Sequence, residues 1–259
     1  VEYKMSYDLS DKTALVTGAS RGIGAAIARS LANSGASVIA HYSSFEQGAV
    51  DNMIGIPDSN KSFIKQDLSK AGAGRNLWQQ ALNERPKIDI FINNAAVNIE
   101  TPFDADVDKW DKGWADTFQV NVYEPANIMK EALVHFKKNG GGVIVSMSSW
   151  SGQRGSALPT LPAYAASKAA VKALTQTIAK NYAKEGILAY IISPGIVKTR
   201  MSDLAAVVRG GEESMKSQLV MGELVKPNDL GELVVFLVSG ACRHLTGSTI
   251  DVNGASYIR

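Results

Sequence analysis

The sequence holds one cysteine, Cys242, so no intrachain disulfide can form, and the chain suits a reducing, cytoplasmic setting. Lying close to an apolar run, that cysteine is expected to serve as a small packing residue. Charge of one sign is also scarce. With 27 Lys and Arg against 25 Asp and Glu, the net charge is +2, too small a basic field to wrap a nucleic-acid backbone. Long hydrophobic runs are missing: the most apolar stretches, 187–192 and 234–238, fall far short of the roughly 20 residues of a membrane-spanning helix. The first ten residues mix charged and aromatic side chains and lack the apolar centre of a secretion signal.

What remains is an average globular composition, 45% hydrophobic and 20% charged, over 259 residues, a length that one α/β domain can fill. Short β-branched runs alternate with longer Ala-rich amphipathic stretches from end to end. That alternation predicts a single-domain α/β fold, residues 1–259, with a doubly wound parallel sheet of about seven strands and helices on both faces. Expected strands are 13–17, 37–41, 62–66, 88–92, 142–147, 188–192 and 248–252. Expected helices include 23–33, 77–84, 110–137, 164–184 and 227–238, with Pro125 dividing the third into two. Residues 198–225 mix charges, a Gly210-Gly211 pair and scattered Met; they are expected to form a substrate lid carried by the rigid sheet.

Directly after the first strand comes Thr17-Gly18-Ala19-Ser20-Arg21-Gly22-Ile23-Gly24, running into a helical pattern. Glycines permit positive φ and close backbone approach, and the opening turn of the helix offers unpaired N–H groups to a phosphate. The spacing differs from the general G-x-G-x-x-G fingerprint, yet strand, glycine turn and helix stand in the right order for a dinucleotide. At the end of the second strand, Tyr42-Ser43-Ser44 stands where NAD enzymes place a carboxylate for the ribose 2′-hydroxyl. No acid there repels a 2′-phosphate, and Arg21 can pair with one, so NADP(H) is expected in preference to NAD(H). The plainer alternative has Arg21 in solvent and Ser43 and Ser44 capping the next helix.

Tyr164-Ala165-Ala166-Ser167-Lys168 opens a helical pattern that puts Tyr164 and Lys168 one turn apart on one face. A free phenol has a pKa of about 10, and a neighbouring ammonium favours its phenolate, so Lys168 can tune Tyr164 as a proton-transfer group. Shortly upstream, the buried-looking run 142–149 ends in Ser148 and Ser149, at the carboxyl end of a strand where open α/β sheets bind ligands. Ser149 is the expected second donor to a substrate carbonyl, with Ser148 as the alternative.

In this order the motifs resemble the short-chain dehydrogenase/reductase family over nearly the whole chain. The family's glycine turn is similar to 17–24, and its adenine-side acid resembles Asp67, followed by Leu68. Its Asn-Asn-Ala-Gly segment is similar to Asn93-Asn94-Ala95-Ala96, with Ala96 in place of glycine. The resemblance implies a catalytic set of Asn121, Ser149, Tyr164 and Lys168. It further implies a nicotinamide bordered by Pro194, Gly195, Ile196 and Val197, with Thr199 bonding the carboxamide, and no catalytic metal.

The activity so implied is NADP(H)-dependent interconversion of a ketone and a secondary alcohol, as in 3-oxoacyl-[acyl-carrier-protein] reductases. Sugar or polyol dehydrogenases of the same family and a non-catalytic dinucleotide-binding sensor are the alternatives. A small carbonyl or alcohol substrate and a homodimer or homotetramer are the expected partners. Arg200, Arg209 and Lys216 can receive an acidic carrier protein, or are simply solvated charge. Two further departures stand out: the 149–164 interval is longer than usual and holds Leu158-Pro159-Thr160-Leu161-Pro162, and Asp251-Val252-Asn253-Gly254-Ala255 replaces a common Asp-Gly-Gly ending.

Overall fold

A computed structural model describes residues 7–208 and 210–259. Seven parallel strands form one sheet in the order β3-β2-β1-β4-β5-β6-β7. They are β1 (Thr13–Val16), β2 (Ser37–Tyr42), β3 (Lys61–Lys65), β4 (Ile90–Asn93), β5 (Gly142–Met147), β6 (Ile187–Pro194) and β7 (Thr249–Val252). Each matches an expected run to within two residues. The strand order reverses between β1 and β4, and that switch point opens a crevice at the carboxyl ends of the strands.

Because strand side chains alternate, both faces of the sheet must be covered. Ala14, Val16, Ile90, Ile92, Val145, Tyr190 and Ile192 point into one core. Leu15, Phe91, Ile144, Ile187 and Ala189, interleaved with them, point into the other. The first core is closed by α1 (Gly22–Asn33) and α10 (Pro227–Val238), through Ile27, Leu31, Leu230 and Val234. The second is closed by α3 (Ala73–Glu84), α5 (Glu124–Lys138) and α7 (Pro162–Tyr182), through Leu77, Trp78, Ile128, Phe136 and Ile178. Burying each such large side chain contributes about 2 kcal/mol.

Helix α4 (Val107–Phe118) starts where the Asp106 carboxylate accepts the N–H of Lys109 at 2.8 Å. The expected break in 110–137 is present, but it lies upstream of Pro125. A π turn, Gln119–Tyr123, joins α4 to α5, and Pro125 sits in the first turn of α5, where a missing N–H costs nothing. The sequence reading lacked four short helices: α2 (Glu46–Asn52), α6 (Ser151–Arg154), α8 (Arg200–Val208) and α9 (Glu212–Lys216). The last two lie in 198–225, and a parallel bridge between Val197 and Val225 closes that segment at its base. Helix α8 presents Met201, Leu204 and Val207, all exposed.

Cys242 is exposed, contrary to its expected packing role. Helix α10 ends at Val238, and Gly240, at φ 78°, turns the chain away from the core before the cysteine is reached. Among the described residues no helix is long and apolar enough to cross a membrane.

Candidate active site

The crevice at the switch point has a volume of about 440 Å³ and runs from Ser43, Ser44, Asp67 and Leu68 at one end to Tyr164, Lys168, Pro194 and Thr199 at the other. Gly18, Ser20, Arg21, Gly22, Ile23 and Gly24 line it, with Asn94, Ala95 and Ala96 beside them. The expected cofactor residues Tyr42, Gly195, Ile196 and Val197 do not line it. Tyr42 is buried at the end of β2 and Val197 packs into the first core. A Cβ on Gly195 would come within 2.9 Å of Asn253 Cβ, so that glycine lets the segment after β6 pass close to the C-terminal tail.

The glycine turn is fixed from two sides. Gly18 has φ +67°, a conformation costly for any side chain, and a Cβ on Gly24 would lie 2.2 Å from Gly18 O. Thr17 Oγ1 donates to Ile92 O at 3.1 Å and accepts the N–H groups of Asn94 and Ala95 at 3.0 and 3.1 Å. Asn94 Nδ2 donates back to Thr17 O at 2.9 Å. The turn and the segment after β4 are therefore one hydrogen-bonded unit. Ala96 is not in a glycine-only conformation: among the described residues the non-glycine at positive φ is Ala255, at 59°.

At the outer end, Asp67 accepts Ser69 N–H at 2.9 Å, and bonding to Ser69 holds its carboxyl below the usual range. It thus caps a turn while facing the cleft. The Arg21 guanidinium lies 5.0 Å from the centroid of Phe45, an aromatic lining residue that the sequence reading did not single out. His41, which also lines the cleft, was missed too. Nothing in the local sequence marks it, because both its hydrogen-bond partners lie on other segments.

At the inner end, the Ser149 hydroxyl lies near enough to the Tyr164 phenol to favour its phenolate, and it accepts Ser151 N–H at 3.1 Å. Ser148 is committed elsewhere, its hydroxyl donating to Lys168 O at 2.9 Å. Burial raises the Tyr164 phenol above its ordinary value, opposed by the nearby Ser149 hydroxyl. The Lys168 ammonium, 5.7 Å from the centre of the Tyr164 ring, donates to Met147 O at 2.9 Å, and burial lowers its pKa to about 8. Asn121 is buried in the π turn. Its side chain accepts Val97 N–H at 2.8 Å and donates to Val97 O and Ser167 Oγ, both at 3.0 Å.

Beside these groups, the Arg154 guanidinium stacks over Trp150 and faces Tyr257, 4.3 and 5.4 Å from the ring centroids. Thr101 N–H donates to Thr160 O at 2.8 Å, which ties the inserted 158–162 stretch to the loop after β4. Of the three basic residues singled out in 198–225, Arg200 lines the cleft, Lys216 is paired with Glu212 and Glu213 at 2.8 and 2.9 Å, and Arg209 lies outside the described residues. Among the described residues no group of three or more His, Cys, Asp and Glu side chains converges as a metal site.

The family model described as enoyl-(acyl carrier protein) reductase matches residues 18–255. The chain belongs to the short-chain dehydrogenase/reductase family. Human dehydrogenase/reductase SDR family member 4 is 34% identical over 255 residues, covering 97% of this chain and 89% of that protein. The 3-oxoacyl-[acyl-carrier-protein] reductase of Haemophilus influenzae is 31% identical, covering 96% of this chain and all of that one. A crystal structure of 3-oxoacyl (acyl-carrier-protein) reductase from Agrobacterium tumefaciens, with NADP bound, superposes with a TM-score of 0.86 at 32% identity, covering 97% and 99% of the two chains. As a short-chain dehydrogenase/reductase the chain is an NAD(P)-dependent oxidoreductase acting on CH–OH and C=O groups.

Proposed function

We propose that this short-chain dehydrogenase/reductase is an NADP(H)-preferring reductase of ketones in apolar acyl substrates, with Tyr164 as its general acid. The observation that carries the reading is the placement of Tyr164 beside the buried Lys168 ammonium, at the carboxyl end of β5.

The cleft fits a dinucleotide. Gly18, Ser20, Arg21, Gly22, Ile23 and Gly24 would hold the diphosphate and Asp67 and Leu68 the adenine. Asn94, Ala95 and Ala96 would line the middle, and Pro194 and Thr199 would border the nicotinamide. When bound, the nicotinamide supplies hydride to the substrate carbon. Ser149 and Tyr164 hold the carbonyl oxygen, and Tyr164 gives it a proton as negative charge develops there. Burial keeps the phenol protonated at neutral pH, which suits a proton donor. The Lys168 charge then favours the phenolate left behind. Asn121, pinned to Val97, supports the proton path back to solvent by fixing the kink between α4 and α5.

Two features support the finer choices. Arg21, Ser43 and Ser44 share the outer end of the cleft, and among the described residues Arg21 has no carboxylate partner, which favours a 2′-phosphate. Met201, Leu204 and Val207 expose an apolar face on α8, which favours an acyl chain over a polyol whose hydroxyls need hydrogen-bond partners. A homodimer or homotetramer is supported by the exposed Phe103, Val107, Tyr123 and Val134 on and beside α4 and α5.

The test follows NADPH and NADH consumption with a 3-oxoacyl thioester, a simple ketone and a ketose. The reading expects a KM for NADPH about tenfold or more below that for NADH, and highest kcat/KM with the thioester. NADH preference would overturn the first choice and ketose preference the second.

A further inference from the structure

The underside of the glycine turn is held by a side chain that the proposed chemistry leaves unused. His41 is buried in β2, one residue before the strand ends. Its Nδ1 accepts the N–H of Gly18 at 3.1 Å, and its Nε2 lies 2.9 Å from Gln66 O. A backbone amide only donates and a carbonyl only accepts, so one species satisfies both bonds: neutral imidazole with its proton on Nε2. The main chain of the same residue accepts Ala19 N–H at 2.8 Å. His41 thus grips two consecutive amides of the turn and braces them against the end of β3.

We propose that His41 is a positioning residue for dinucleotide binding, whose neutral imidazole locks Gly18 in the conformation that receives the diphosphate and whose protonation releases it. The inference rests on the reading of this cleft as the cofactor site. Protonation would place an N–H on Nδ1 facing the N–H of Gly18, donor against donor, and would strand a charge away from water. Burial already holds the imidazole below its ordinary value, so it is neutral at pH 7.

The charged groups on the elements around it are Arg21 in the turn, Arg29 on α1, Glu46 on α2, and Lys65 and Asp67 at the end of β3. Each is engaged elsewhere or exposed. Arg21 lies over Phe45, Arg29 donates to Asn52 O, Glu46 bonds Tyr42, Lys65 is exposed, and Asp67 accepts from Ser69. None pairs with the ring, so an imidazolium would find no counter-charge.

The experiment titrates NADPH into the whole protein by calorimetry at pH 7.5 and 5.5, using wild type, His41→Asn and His41→Phe. Asparagine offers Gly18 an acceptor that does not titrate; phenylalanine offers none. His41→Phe should bind about tenfold more weakly at pH 7.5, the worth of one buried hydrogen bond, while kcat at saturating NADPH stays within about twofold. His41→Asn should stay within about threefold of wild type at pH 7.5 and lose less affinity on acidification. The 2′-phosphate of NADPH, with its own ionisation near pH 6, contributes equally to both proteins and cancels in that comparison.

Equal affinity of His41→Phe and wild type, or the same pH ratio for wild type and His41→Asn, would overturn the inference. Should His41→Phe fail to fold, the comparison of wild type with His41→Asn still decides. If wild type binds neither NADPH nor NAD at pH 7.5, it is the cofactor reading that falls, and the inference with it.

Discussion

The Lys168 ammonium donates to the carbonyl oxygen of Met147 at 2.9 Å, tying the buried lysine of α7 to the last residue of β5. One bond to a neutral oxygen does not replace the hydration that burial removes from this cleft-lining cation, and the pKa falls to about 8 from 10.5. Below pH 8 both folded and unfolded chains carry this proton, and the folded state bears the full cost of the buried charge. Between pH 8 and 10.5 the unfolded chain binds more proton, so stability rises with pH, by about 3 kcal/mol over the whole window. Tyr164, its phenol raised, acts in the opposite sense above pH 10. Urea denaturation at pH 8.0 and 9.5 should therefore show an upward increment of about 2 kcal/mol in wild type that Lys168→Met lacks. An identical increment in both proteins would contradict this placement of the charge.

Glu124 is a buried carboxylate with four donors around it. Its Oε1 accepts Gly72 N–H at 3.0 Å and Gln119 Nε2 at 2.7 Å; its Oε2 accepts Gly74 N–H at 2.6 Å and Asn127 Nδ2 at 3.3 Å. It thereby caps the start of α3 from the start of α5. Glu124→Gln points an NH₂ at one of these donors and should cost about 2–4 kcal/mol in chemical denaturation. A change within about 0.5 kcal/mol would show that the cap contributes nothing.

Ala255 stands at φ 59°, where a Cβ costs roughly 1–2 kcal/mol. Ala255→Gly removes that strain but adds freedom to the unfolded chain, offsetting about half of the gain. The melting temperature should rise by about 1–3 °C, as read by calorimetry. A fall would mean that contacts of the methyl group outweigh its strain.

The fold was legible because its signal is repetitive: seven short β-rich runs, the central ones buried on both faces, separated by helices long enough to show their period. Short helices such as α2 and α6 gave no period to detect. Tyr164, Lys168 and the glycine turn were readable because their partners lie within one helical turn or one loop. His41 and Glu124 were not, since both partners of His41 lie 23 to 25 residues away, and the two backbone amides that Glu124 caps lie about 50 away and meet it only in the folded chain. Pro125 marked a helix division, yet the division falls at the π turn Gln119–Tyr123, which leaves no compositional trace. The different surroundings of the two serines could not be read from sequence: Ser148 donates to Lys168 O, while Ser149 accepts Ser151 N–H.

The central claim is that the Tyr164 phenol delivers the proton. Tyr164→Phe removes a single oxygen from the cleft wall and should lower kcat for ketone reduction at pH 7 by about 10²- to 10⁴-fold, while the NADPH dissociation constant stays within about twofold of wild type. A variant that keeps more than about a tenth of the wild-type rate would take proton transfer away from Tyr164 and contradict the account.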